Sequence, residues 1–142
     1  MRIKNWAAFV AVAALVLALC GLGGAAEDDE SGALKAAETW LALVDSGKYD
    51  QSWEDAASPF KTAVEKSLWD RSLTGLRKPL GKVLSRKLKE KKFVTQMPGS
   101  PDGKYLLIQF DSSFENKKSA VETVVPMLNS DGRWKVSGYY IK

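Results

Sequence analysis

The chain has 142 residues, of which 45% are hydrophobic and 27% charged, a balance that argues against disorder and fits one packed domain. Its formal charge is +4, but of 21 lysines and arginines Arg2 and Lys4 precede residue 27 while all 17 acids lie at or after it, which leaves 19 cations and a balance of +2, so the basic character overstates the case for a nucleic-acid binder. There is no histidine and one cysteine, Cys20, which excludes histidine general bases, cysteine nucleophiles in the mature domain and the usual zinc ligand sets.

The first stretch reads as a secretory signal peptide, residues 1–26. Arg2 and Lys4 form a charged start, Trp6 to Leu22 an apolar run, and Gly24 and Ala26 offer the small side chains a signal peptidase accepts before a cut after Ala26. The expected location is therefore the periplasm or the exterior. The run 6–22 is also near the lower length for spanning a bilayer, so an uncleaved inner-membrane anchor is the alternative. Lipidation of Cys20 is disfavoured by Leu19, because a lipoprotein signal wants a small residue there. Residues 27–32 read as an acidic linker, and 33–142 as a single domain.

In that domain Leu34, Ala37, Leu41 and Val44 recur at helical spacing, which predicts a helix from Ser31 to about Ser46, closed by Gly47. A short helix is expected over 50–57. Ser58-Pro59 then opens a third, running to about Arg77 and ended by Pro79 and Gly81. Strands follow: Val83 to Met97, Tyr105 to Phe114, Ala120 to Leu128 and Arg133 to Ile141. Their turns are the Pro98–Gly103 cluster, Glu115–Lys118 and Ser130-Asp131-Gly132. Alternation puts Leu106, Ile108, Phe110 and Phe114 on one face, and Trp134, Val136 and Tyr140 on one face of the last strand. Pro126 marks a bulge or an edge position. Helices first and strands after give an α+β fold, with N-terminal helices packed on a curved antiparallel sheet of about four strands.

Two groups of residues are candidates for function. Glu122 lies among Val121, Val124 and Val125, where a carboxylate is desolvated and can act as a general acid or base, with Arg86 as its charge partner. The bland alternative is a structural ion pair. The aromatics Trp40, Tyr49, Trp53, Phe60 and Trp69 either line a ligand pocket between helices and sheet or fill the core, which is the default for large aromatics. Tyr105, with Gln109 and Asp111 on its face, points either to a pocket or to solvent. Arg86-Lys87-Leu88-Lys89-Glu90-Lys91-Lys92 reads either as an anion-binding run or as an edge strand kept from pairing by its lysines. No phosphate loop or calcium-loop spacing is present, so no cofactor and no metal is expected.

Several motifs together resemble one bacterial family. Pro98-Gly99-Ser100-Pro101-Asp102-Gly103-Lys104-Tyr105, Gln109-Phe110, Ser113-Phe114, Lys117-Lys118, Glu122-Thr123-Val124 and Trp134-Lys135-Val136-Ser137-Gly138-Tyr139-Tyr140-Ile141 look like domain of unknown function 4019. Ala36-Ala37-Glu38, Trp40-Leu41, Tyr49, Ser52-Trp53 and Ser85-Arg86 fit it as well, so the resemblance covers about Ala33 to Lys142. It implies an exported, cone-shaped α+β domain of the nuclear transport factor 2-like kind. It brings no catalytic or ligand residues, and such a fold hosts both enzymes and binding modules. Three functions follow as expectations: non-enzymatic binding of a small ligand or an envelope partner, an enzyme using Glu122, or a module that docks a protein on its sheet face. No nucleic acid is expected as a partner, and a membrane only through an uncleaved leader.

Overall fold

The computed structural model describes residues 24–142. Residues 1–23 of the expected signal peptide, the alternative anchor over 6–22 and Cys20 lie outside the described residues, and the last three residues of the expected signal peptide, 24–26, are helical. Helix α1 (Gly24–Asp45) is followed by α2 (Tyr49–Glu54), α3 (Ser58–Ala63) and α4 (Lys66–Leu76), then a 3₁₀ turn at Lys78–Leu80. Strands β1 (Val83–Val94), β2 (Tyr105–Phe114), β3 (Lys117–Leu128) and β4 (Trp134–Ile141) form an antiparallel sheet in chain order. The fold is thus α+β, with β1 and β4 at the two edges. Among the described residues no helix is long and apolar enough to cross a membrane.

Helix α1 is already formed at Gly24, the first described residue, ahead of the expected start at Ser31, so the expected linker 27–32 is helical. The other end closes as expected. Gly47 adopts φ 74°, its N–H bonds the Val44 carbonyl at 3.0 Å, and the Lys48 N–H reaches the Leu43 carbonyl at 2.9 Å. This is the paired bond pattern that satisfies a helix's last carbonyls.

The expected single helix over 58–77 is two helices. Val64 (φ −126°, ψ 118°) and Glu65 (φ −65°, ψ 144°) are extended between α3 and α4. The Val64 carbonyl, freed from helical bonding, accepts the Trp53 indole N–H at 2.7 Å. Tertiary bonding thus overrides local periodicity at a β-branched residue, which pays little to leave a helix.

The sheet is strongly curved. Phe93 near the end of β1 and Trp134 at the start of β4 have ring centroids 6.4 Å apart. Flat pairing would hold those outer strands about 14 Å apart, three spacings of about 4.8 Å. Register shifts at Val83/Ser85, Leu88/Glu90, Ser112/Phe114 and Val125/Pro126 supply the bends. The last of these lets Pro126 sit in the interior strand β3. It also corrects one expectation: the shift brings Tyr139, not Tyr140, to the core face beside Val136, and leaves Tyr140 57% exposed.

Helix α1 lies across the concave face, against β3 and β4 and only lightly on β2. Ala33, Ala37, Trp40, Leu41 and Val44 meet Leu106, Ile108, Phe110, Val124, Val136 and Tyr139 there. Each fully buried aliphatic side chain contributes about 1.5–3 kcal/mol. The loop after β1 folds over the opposite face, where Tyr105, Val125 and Met127 form a second small cluster with Ala57.

Candidate functional site

Glu122 is fully buried on the concave face of β3. It pairs in register with Phe110 on β2 and Ile141 on β4, and its diagonal neighbours supply its partners: Ser112 on β2, which pairs in register with Arg86 on β1, and Tyr139 on β4. Oε1 accepts the Arg86 Nε–H at 2.7 Å and the Ser112 hydroxyl at 2.6 Å. Oε2 accepts the Arg86 Nη2–H at 3.2 Å and the Tyr139 hydroxyl. A carboxylate has about four lone-pair sites, so this one is saturated.

The chain of charges continues outward. The same Arg86 donates to both Asp45 oxygens, at 2.8 and 3.0 Å, and Arg77 donates to Asp45 Oδ1 at 2.6 Å. Arg77 is itself buried, stacked over Phe114 at 4.5 Å. Two guanidinium groups thus meet two carboxylates, and the cluster is formally neutral. Burial opposes the charge on Arg86, but its hydrogen bonds to Asp45 and Glu122 outweigh that and hold its pKa above the usual range. Burial, joined by the Glu122 charge, raises the Tyr139 phenol, which stays protonated as a donor.

This arrangement has little room for catalysis. A general base needs a free lone pair within hydrogen-bond reach of a substrate proton. Glu122 has none free, and neither Glu122 nor Arg86 lines any of the grooves described below. Among the described residues no three acids or other ligating side chains gather as a metal site.

Several of the candidate aromatics are brought together around Ser52, and Trp40, Phe60 and Trp69 also border grooves. Trp40 donates its indole N–H to the Ser52 carbonyl at 2.8 Å, and Trp69 donates to the Ser52 hydroxyl at 3.0 Å. Trp40 packs edge-on against Tyr139, and Phe60 edge-on against Trp69. Tyr49 and Trp53 flank this core, half-buried. Tyr105 stands apart, fully buried on the other face of the sheet with its hydroxyl donating to the Pro101 carbonyl. Asp111 on the same face is exposed, 3.8 Å from Lys89. The basic run forms the edge strand β1. Arg86 turns inward, while Lys91 pairs with Glu30 of α1.

Open space lies at the margins of this cluster. A groove of about 650 Å³ runs between α1 and the outer strand β4. Ala36, Trp40 and Leu43 line it from the helix and Trp134 and Val136 from the strand. Lys35, Arg133 and Lys135 also line it, with Asp55 as the one carboxylate. At its end the helix comes close to the strand: a Cβ on Gly32 would stand 3.1 Å from Trp134 Cδ1, so only glycine allows this approach without displacing the ring. A smaller groove of about 320 Å³ lies between α3 and the loop after β1, lined by Phe60, Trp69, Pro98 and Tyr140.

Sequence reasoning found Glu122, Arg86 and Trp40. It missed Asp45, Arg77, Ser112 and Tyr139, and all three cations of the larger groove. Alternation could have paired Ser112 with Arg86, but Tyr139 was hidden by the bulge beside Pro126. No solved structure and no curated protein matches the chain. The family described as Protein of unknown function (DUF4019) matches residues 36–139, from the middle of α1 into β4 and through every residue of the buried network, and the chain belongs to that family.

Proposed function

We propose that this is an exported, non-enzymatic binding module, cone-shaped in the nuclear transport factor 2-like manner, that takes a small ligand in the groove between α1 and β4. The observation that carries the reading is the groove itself: about 650 Å³ of open space with an apolar floor of Ala36, Leu43, Trp134 and Val136. Its size falls within the range of about 300–1,000 Å³ typical of ligand sites. Against an enzyme stands the saturation of Glu122, which leaves that carboxylate no role but to hold the sheet together. Export rests on the order of charged start, apolar run and small residues over 1–26.

The test is a thermal-shift screen of small envelope metabolites on the protein and on Ala36→Trp, which fills the groove. A ligand at 100 times its Kd stabilises the native state by about 2.7 kcal/mol. Shifts present in the parent and absent in Ala36→Trp are the expected result. Shifts that survive Ala36→Trp sink the groove as the site. For export, the mature protein recovered from the periplasm should begin at Glu27.

A second reading has its own support. Helix α1 reaches the concave side of β1 through the Asp45–Arg86 and Glu30–Lys91 ion pairs, yet Leu88 (48%) and Phe93 (38%) on that side are exposed. An envelope protein docking there would cover them.

A further inference from the structure

Resting on the groove as the binding site, we infer that its ligand is an amphipathic organic anion, an aliphatic chain or flat ring that ends in a carboxylate. Lys35, Arg133 and Lys135 line one groove together with Asp55, so cations outnumber anions there by three to one. Elsewhere around α1 the cations near the core are matched. Arg77 and Arg86 share Asp45, Lys91 meets Glu30, and Lys104 meets Asp29. Among the described residues no ion pair involves Lys35, Arg133 or Lys135. The groove therefore offers uncompensated positive charge beside an apolar floor.

Each part selects against a simpler ligand. A small inorganic anion would gain charge contacts but leave Ala36, Leu43, Trp134 and Val136 wet. A neutral lipid-like chain would cover those side chains but leave three cations unmatched at the rim of a desolvated surface, where charge complementarity counts for more than in bulk water. Only a ligand with both an apolar body and an acid group uses the whole lining. A cationic ligand is opposed by the net charge of the lining.

The test uses two-dimensional NMR of the purified protein, read at the tryptophan indole N–H signals. Trp134 and Trp40 line the groove, whereas Trp53 does not. The probes are decanoate below its aggregation concentration, decanol and acetate. Decanoate should shift Trp134 and Trp40 but not Trp53, with at least tenfold tighter binding than either decanol or acetate. The triple variant Lys35→Gln, Arg133→Gln, Lys135→Gln should bind decanoate at least tenfold more weakly, and raising salt from 50 to 500 mM should weaken binding to the parent but not to the variant. Equal binding of decanol and decanoate at Trp134 would leave the groove as a site and overturn the anionic ligand. Unchanged decanoate affinity in the triple variant would overturn it as well. No movement of Trp134 with any probe would remove both the anion and the groove reading.

Discussion

Helix α1 carries charges of opposite fate on its two flanks. Toward β1, Asp45 bridges Arg77 and Arg86, and Arg86 continues to the buried Glu122, whose remaining lone pairs go to Ser112 and Tyr139. Toward β4, Lys35, Arg133 and Lys135 stand around an open apolar groove with Asp55 as the one carboxylate. The first flank is formally neutral and its Glu122 carboxylate is saturated, while the buried Arg77 Nε–H lacks a partner and Asp45 and Arg77 border a groove of about 300 Å³; its charges are spent on holding strands β1 to β4 in register. The second flank keeps charge in reserve. A buried carboxylate in an apolar strand is a candidate catalytic group by sequence, but the lone pairs of Glu122 are all taken, whereas Lys35, Arg133 and Lys135 enter no ion pair among the described residues.

The largest effect should come from breaking the closed flank at its centre. Glu122→Ala leaves Arg86 without its inner partner and the Ser112 and Tyr139 hydroxyls without an acceptor. Removing one member of a buried pair costs about 3–5 kcal/mol. Urea denaturation should show that loss, and a cost under about 1 kcal/mol would contradict the reading of Glu122 as a structural centre. Tyr139→Phe should cost less, about 1–3 kcal/mol for an acceptor left one donor short.

That variant also has a pH signature. The Tyr139 pKa is raised in the fold by burial and by Glu122, so the folded protein holds its phenol proton when the unfolded chain loses it. The stability it contributes is complete below the ordinary tyrosine pKa of about 10 and falls as pH rises beyond that. Denaturation midpoints between pH 9 and 11 should decline less steeply in Tyr139→Phe than in the parent. Equal slopes would show that the phenol does not titrate differently in the two states.

Changes on the open flank should leave the fold alone. The triple glutamine variant of the groove should keep its stability within about 0.5 kcal/mol, as surface substitutions away from buried networks do. A larger loss would mean that these cations belong to the fold, and would erase the contrast between the flanks. The smallest effect is expected at Lys66 and Glu54, an exposed pair 2.6 Å apart. Lys66 lowers the Glu54 pKa, so any contribution is present above the unfolded carboxylate pKa and fades as pH falls through the folded one. Lys66→Ala should move the thermal midpoint little at pH 7, because solvent screens such pairs.

Much of this layout was legible before the structure. Alternation in Leu106, Ile108 and Phe110 and the turn clusters located β2 to within a residue at each end. Burial of Glu122 could be read from the valines around it, and Arg86 was the right partner because both residues share a face across β2. What the sequence hid was long-range. The carbonyl of Val64 leaves the helix for the Trp53 indole, a contact 11 residues back that no local pattern encodes. The bulge at Val125/Pro126 reverses side-chain parity in β4, so the simple period pointed to Tyr140 when Tyr139 is the buried one. The groove was invisible for a related reason: Lys35 and Lys135 lie 100 residues apart and meet only because α1 crosses onto the last strand.

The closed network also sets an order of assembly. Arg86 meets Asp45 across 41 residues and Glu122 across 36, and Tyr139 closes the set from β4, the last strand. Contacts of such separation form late, since loop closure must precede their reward. A chain emerging from its N-terminus can wind α1 early, yet Asp45, Arg77 and Arg86 have no complete neutral cluster to enter until residue 139 arrives. The commitment of the whole domain to its native state is thereby deferred to its final strand.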